Sequence, residues 1–253
     1  MIKSRNMLAN VYEDTVFKCR NNKYGIFEKF LSEIYSPNDI RTNQNIYTKK
    51  YDTVIKVLNL DVLVVTEILY NLRNERNIMV LNLASYFQPG GGVKNGAMAQ
   101  EEELFRRTNY HMNLTRDLYP IPKSNVIYTK YVYVIKNDKY EDIEKPFAVS
   151  MLAGAAIKNP NLTNDYKYKP YDQKTMEELV ENIFKTAYYN GNDVLVLGAL
   201  GCGAYYNPPI EVVKIYNKYL EKYNGCFKTI IFAVYSKDNS NYDIFNDNIK
   251  RKF

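Results

Sequence analysis

The chain has 253 residues, 46% of them hydrophobic, with 34 Lys and Arg against 28 Asp and Glu for a formal net charge of +6. That length and apolar content suffice for one sizeable core, so a single structural unit with an extension is expected. Scattered basic residues argue against direct, sequence-specific nucleic-acid binding, and no stretch approaches the ~18 apolar residues of a membrane span.

Cys19, Cys202 and Cys226 are too few and too far apart for a disulfide framework or a zinc site. No apolar segment follows the early charges of the N-terminus, so a soluble, intracellular protein, cytoplasmic or nuclear, is expected, with no membrane partner. The abundance of Lys, Asn, Ile and Tyr and the lack of Trp fit a coding bias toward adenine and thymine better than a ligand-stacking surface.

Residues 7–18 have helical spacing, with Leu8, Val11, Val16 and Phe17 available for one face. A second helix is predicted over 24–34, and residues 1–50 are expected to form an N-terminal helical extension packed on a core of residues 51–253. Residues 51–58 are rich in β-branched side chains and read as a strand, and 61–72 as a helix. Residues 79–84 form a short apolar run of buried-strand type, 100–111 read as a helix, and 113–124 as a turn-rich loop. Strands near the surface are predicted over 126–135, and a turn at 136–139. Another buried strand is predicted over 147–152, then a long polar loop over 158–169. An amphipathic helix over 172–189 would turn Met176, Leu179, Val180, Ile183 and Phe184 inward, and 193–197 supply a central strand. Strands alternating with helices imply an α/β sandwich.

Two glycine loops stand out. Pro89-Gly90-Gly91-Gly92-Val93 falls between strand and helix, where bare backbone lets a ligand approach and N–H groups can bind anionic oxygens. Gln100-Glu101-Glu102-Glu103 then opens the helix, where the macrodipole favours negative charge. A solvated helix start with i,i+4 pairs from Glu102 to Arg106 and Glu103 to Arg107 is the simpler explanation of the acids alone. The three adjacent glycines go beyond it, because a plain turn does not need them. The second loop, Gly201-Cys202-Gly203-Ala204-Tyr205, follows a strand. Asn207-Pro208-Pro209 reads as the N-cap and first turn of a helix through Leu220, so a helix N-terminus and loop N–H groups could meet a phosphate together. Neither loop is a P-loop or a dinucleotide fingerprint.

His111 is the single histidine and has no nucleophile signature beside it. Cys202 has no basic neighbour in sequence to lower its pKa. What remains is carboxylate chemistry near a diphosphate: a protonated carboxyl can give its proton to a glycosidic oxygen while an oxocarbenium-like centre develops. Two adjacent acids in a partly buried pocket can keep one proton near neutrality. No metal and no cofactor are expected, since no His, Cys or Asp cluster has ligand spacing.

Gly90-Gly91-Gly92, seven residues, then Gln100-Glu101-Glu102 resembles the signature of bacterial-type poly(ADP-ribose) glycohydrolases, a branch of the macrodomain superfamily. Leu81-Asn82-Leu83-Ala84-Ser85, Gly198 through Tyr205, and Phe232-Ala233-Val234-Tyr235 resemble it in order and spacing, so the likeness spans roughly Ser4 to Tyr235. The resemblance implies a macrodomain-like three-layer α/β/α sandwich with a mixed central sheet. It implies cleavage of ribose–ribose O-glycosidic bonds in poly(ADP-ribose), with ADP-ribose as product. It makes Glu102 the acid and gives Glu101 a positioning role at the distal ribose with Asn82. The expected ADP-ribose-binding residues are Asn82, Gly90, Gly91, Gly92, Val93, Gln100, Gly201, Cys202, Gly203, Ala204 and Tyr205. Tyr206 departs from the small residue of that pattern. Two alternatives stay open: a hydrolase of single ADP-ribose groups on protein or nucleic acid, and a non-catalytic ADP-ribose reader. Retention of both Glu101 and Glu102 favours the enzyme.

Overall fold

The computed structural model describes residues 4–25, 31–40, 47–238 and 240–253. Apolar runs become strands β1 (Ser32–Tyr35), β2 (Val54–Leu58), β3 (Ile78–Leu83), β4 (Val126–Lys136), β5 (Asp142–Gly154), β6 (Val194–Leu197) and β7 (Thr229–Ala233). They form one sheet of order β1-β4-β5-β3-β6-β7-β2. The pairs β1–β4 and β4–β5 are antiparallel and the rest parallel, which makes the sheet mixed.

The centre of the sheet is buried on both faces, and the pleat divides its side chains between two cores. Met79, Leu81, Leu195 and Leu197 pack with α4 (Pro170–Tyr189), α5 (Pro209–Lys222) and α6 (Ser240–Asn248). Ile78, Val80, Val194 and Val196 pack on the opposite face with α1 (Arg5–Arg20), α2 (Val62–Glu67) and α3 (Gln100–Arg107). The result is the three-layer sandwich with a mixed sheet. All five residues predicted for the inner side of α4 are buried.

Several expectations need correction. The buried stripe of α1 is Leu8, Tyr12, Thr15 and Cys19, whereas Val11 and Val16 are half-buried and Phe17 is 67% exposed. Tyr12 packs on Phe105 of α3 and Thr15 bonds the carbonyl of Arg106, while Cys19 is buried near Lys136 and Asp142. Residues 32–34, predicted as the end of a helix, belong to strand β1; residues 26–30 of that prediction lie outside the described residues. Strand β4 is not near the surface: Ile127, Val132 and Ile135 are fully buried, with Ile127 and Val132 packed into the core on the α1, α2 and α3 face. Its two exposed positions, Lys130 and Tyr131, sit at a bulge where Tyr131 has φ +59°. The helix predicted over 100–111 stops at Arg107, and residues 110–112 form a separate 3-10 turn.

Helix α1 seats on the outer layer at one point of very close backbone approach. Gly96 ends the 3-10 turn Val93–Asn95 with φ +69°, and a Cβ there would fall on the carbonyl of Arg5. Glycine is the residue that meets both demands. Ion pairs from Asp14 to the buried Lys136, at 2.5 Å, and from Lys18 to Asp142, at 3.0 Å, tie the far end of α1 to β4 and β5.

Candidate active site

The first glycine loop and the start of α3 fold onto each other. Gly90 and Gly91 have φ of +74° and +52°, and a Cβ on Gly91 would lie 2.5 Å from Glu102 Oε1. The turn therefore wraps directly round the two carboxylates. Glu101, 3% exposed, accepts hydrogen bonds from Ser85 N at 2.8 Å, Gly90 N at 3.2 Å and Asn82 Nδ2 at 3.2 Å. Glu102, 6% exposed, accepts from Gly92 N at 2.8 Å and closes back on Ala99 N at 3.0 Å, one half of a capping box.

The two loops use their N–H groups differently. Those of Gly90 and Gly92 serve the glutamates, and that of Val93 bonds Gly90 O at 3.0 Å, so the donors of this loop position carboxylates. The Val93 side chain is core. Gln100 likewise serves the fold: its amide donates to Leu81 O at 2.7 Å and accepts from Leu83 N at 2.9 Å, continuing the hydrogen bonding of β3. Asn82 is fully buried and meets the site through Glu101.

The second loop has the opposite character. Among the described residues the N–H groups of Gly201, Gly203, Ala204 and Tyr205 make no hydrogen bond, and Gly203 and Ala204 are exposed. Gly201, with φ +73°, is held where a Cβ would strike Asn207 and Ala156. Asn207 is not the N-cap expected of it; that position is Pro208. The Asn207 amide instead donates to Ile157 O at 2.8 Å and Gly201 O at 3.1 Å, and accepts from Tyr168 Oη at 2.8 Å, which fixes the loop. Tyr206 has φ +59° and is 72% exposed, so the position favours a small residue by its backbone yet leaves room for a ring. The loops meet where Tyr86 N donates to Tyr205 Oη at 3.2 Å. The segment that holds Glu101 through Ser85 N is thus joined directly to the loop with the free N–H groups.

Burial raises the Glu101 carboxyl to about 8, outweighing the N–H bonds from Ser85, Asn82 and Gly90, with the neighbouring Glu102 charge adding to the rise. Glu101 consequently keeps its proton at neutral pH. Burial pushes the Cys202 thiol far upward, which removes it as a nucleophile. His111 has both ring nitrogens buried without a partner among the described residues, and burial and then Arg20 push it down to about 4. It packs edge-on against Tyr12 and is structural.

Sequence reasoning missed Tyr110 and Tyr119. The Tyr119 hydroxyl is buried without a partner among the described residues and lies within electrostatic reach of Glu101 and Tyr205, while the fully buried Tyr110 hydroxyl faces Thr129 and Asn82. Nothing local distinguishes them in so tyrosine-rich a chain. Among the described residues no group of three His, Cys, Asp or Glu could hold a metal ion, and no helix is long and apolar enough to cross a membrane.

The two raised and lowered groups bend stability in opposite senses. Folded Glu101 keeps a proton that the unfolded chain, at 4.5, has lost, so stability falls as pH rises from 4.5 to about 8. Folded His111 refuses a proton that the unfolded chain, at 6.5, accepts, so stability rises from about 4 to 6.5. The two slopes offset each other up to 6.5. Between there and pH 8 the unfolding free energy read from urea titrations should fall by up to ~2 kcal/mol, at ~1.4 kcal/mol per pH unit. Glu101→Gln should flatten that fall, and an unchanged slope would refute the protonated Glu101.

Residues 27–137 match the family model for the microbial-type PARG catalytic domain. That segment contains the glycine triplet and the glutamate pair. No curated protein matches the chain. Among solved structures, a glutamate-to-alanine mutant of the poly(ADP-ribose) glycohydrolase from Thermomonospora curvata is similar at 22% identity, with TM-score 0.81, over 96% of this chain and 99% of that one. The same enzyme bound to the inhibitor ADP-HPD gives 22% identity and TM-score 0.78, over 95% and 98%. The poly(ADP-ribose) glycohydrolase from Deinococcus radiodurans in complex with ADP-ribose gives 23% and 0.75, over 86% and 93%. The microbial PARG fold therefore extends over nearly the whole chain.

Proposed function

We propose that the chain is a poly(ADP-ribose) glycohydrolase that cleaves ribose–ribose O-glycosidic bonds and releases ADP-ribose, acting inside the cell, where its three free cysteines suit a reducing environment. The observation that carries this reading is the wrapping of the glycine turn around two buried glutamates, one raised enough to keep a proton on the pair. The match to the microbial PARG model and the ADP-ribose and ADP-HPD complexes of similar structures support it.

In this reading the second loop and the N-terminus of α5 hold the diphosphate, with the unpaired N–H groups of Gly203 and Ala204 as donors. Tyr205 packs beside the ligand. Glu101, fixed by three N–H donors, positions the distal ribose. Glu102 Oε1, against the bare Gly91–Gly92 backbone, gives the proton to the leaving ribose oxygen as positive charge develops at the anomeric carbon. The resulting carboxylate then takes a proton from the attacking water.

Product analysis with purified poly(ADP-ribose) tests the reading. Free ADP-ribose should accumulate while the last protein-linked unit persists. Complete release from a singly modified protein, with polymer untouched, would promote the mono-ADP-ribosyl hydrolase instead. Binding without any release would indicate a reader.

The cradle has its own test. A Cβ at Gly203 meets nothing within 4 Å, so Gly203→Val should fold normally. Its branched side chain would occupy the space assigned to the diphosphate, and calorimetry should show ADP-ribose binding weakened at least tenfold, ~1.4 kcal/mol. Unchanged affinity would place the ligand elsewhere.

A further inference from the structure

Two aromatic rings stand exposed at the rim of the site, Tyr86 at 44% and Phe87 at 54%. They immediately follow Ser85, whose N–H holds Glu101, and precede the glycine turn. Their backbone is firmly held. Ile121 N donates to Tyr86 O at 2.8 Å, and Ser85 Oγ accepts from Phe87 N at 3.2 Å. The Phe87 ring carries the Arg116 guanidinium at 4.9 Å, and Arg116 also donates to Phe87 O at 2.9 Å. Arg116 is exposed and has no carboxylate partner among the described residues. The core has no use for this pairing: neither ring packs in either core cluster, and the cation neutralises nothing there. An exposed ring backed by an unneutralised planar cation suits a base that stacks and a phosphate that pairs.

We infer that Phe87 and Arg116 form a second nucleotide subsite, taking the ADP-ribose unit on the leaving side of the scissile bond. This rests on the polymer reading above. Ser85 N holds Glu101 and Tyr86 N donates to Tyr205 Oη of the cradle, so Phe87, with Arg116 on it, follows directly on the segment that joins carboxylates and cradle. A polymer presents a second adenine and a second diphosphate at that point. Free ADP-ribose presents neither, so the subsite adds affinity for polymer alone.

The test uses the full chain with Glu102→Gln to keep polymer intact, and compares binding of ADP-ribose with that of short poly(ADP-ribose) oligomers. Phe87→Leu removes the stacking face and keeps an apolar side chain; Arg116→Gln removes the charge and keeps a donor for Phe87 O. Each should weaken oligomer binding roughly 5- to 100-fold, the range of a lost base–aromatic contact, and leave ADP-ribose binding unchanged. An equal loss for both ligands would assign the residues to the first unit and overturn the proposal. So would unchanged oligomer binding, or a parent that binds oligomer no more tightly than ADP-ribose. Oligomer preference that depends on Phe87 and Arg116 in a chain whose unmutated form releases no ADP-ribose would instead leave the subsite standing and remove the hydrolase reading.

Discussion

Replacing Glu102 by Gln should lower poly(ADP-ribose) hydrolysis by ~10²–10⁴-fold, the usual cost of losing a general acid, while ADP-ribose affinity stays close to that of the parent. The variant keeps the length of the side chain and one acceptor. Two backbone donors converge on Glu102, from Gly92 and Ala99, and Gln can satisfy only one of them, so a stability loss of ~1–3 kcal/mol accompanies the change. Retained ADP-ribose binding shows that the loop has survived it. Glu101→Gln should behave differently. Three N–H donors surround Glu101, so its amide must face at least one of them, and ADP-ribose affinity should fall together with turnover. If Glu102→Gln retains most of its turnover while Glu101→Gln loses it with binding intact, the acid is Glu101. The parent's pH profile adds a second constraint. If the proton held on Glu101 reaches the leaving oxygen through Glu102, kcat/KM should decline as pH rises through about 8.

The sequence made the sheet legible because its central strands carry unbroken apolar runs, such as Ile78–Leu81 and Val194–Leu197, that only burial on both faces explains. The glycine triplet and the glutamate pair were legible for a similar reason: adjacent glycines signal backbone that no side chain can share. What the sequence concealed was the direction of the hydrogen bonds. Gly-rich backbone next to acids reads equally as an anion cradle or as a clamp on carboxylates. Only the fold shows that Gly90 and Gly92 point their N–H groups inward while Gly201, Gly203, Ala204 and Tyr205 leave theirs free. Asn207 concealed its role in the same way, since Asn before Pro-Pro has the form of a helix cap until Tyr168 and Ile157, from elsewhere in the chain, claim its side chain. The edge strand β1 was hidden because Ser32–Tyr35 has too few apolar residues to show a period of two, and its pairing comes wholly from β4.

Arg106 is where loss of one side chain should cost the fold most. It is fully buried, on the last turn of the helix that begins with the glutamates. Its Nε donates to Leu8 O of α1 at 3.1 Å, one terminal nitrogen bonds Ala97 O, and the other pairs with Glu103 at 2.9 Å. Its own carbonyl accepts from Thr15 Oγ1 at 2.5 Å. One guanidinium thus joins α1, the turn before α3, and α3 itself. Arg106→Met fills similar volume but leaves two interior carbonyls and a carboxylate short of donors, and should cost ~3–5 kcal/mol, a fall in Tm on the order of 10 °C for a chain of this size. Catalysis should suffer too. Ala97 packs against Gly92, whose N–H holds Glu102, so loosening the turn frees the proposed acid. Arg106→Lys restores the charge without the fork and should recover only part of either loss. A Tm for Arg106→Met within a degree or two of the parent would mean that α1 and the glycine turn are held by their other contacts, with Gly96 against Arg5 and the Asp14–Lys136 pair as the remaining fastenings.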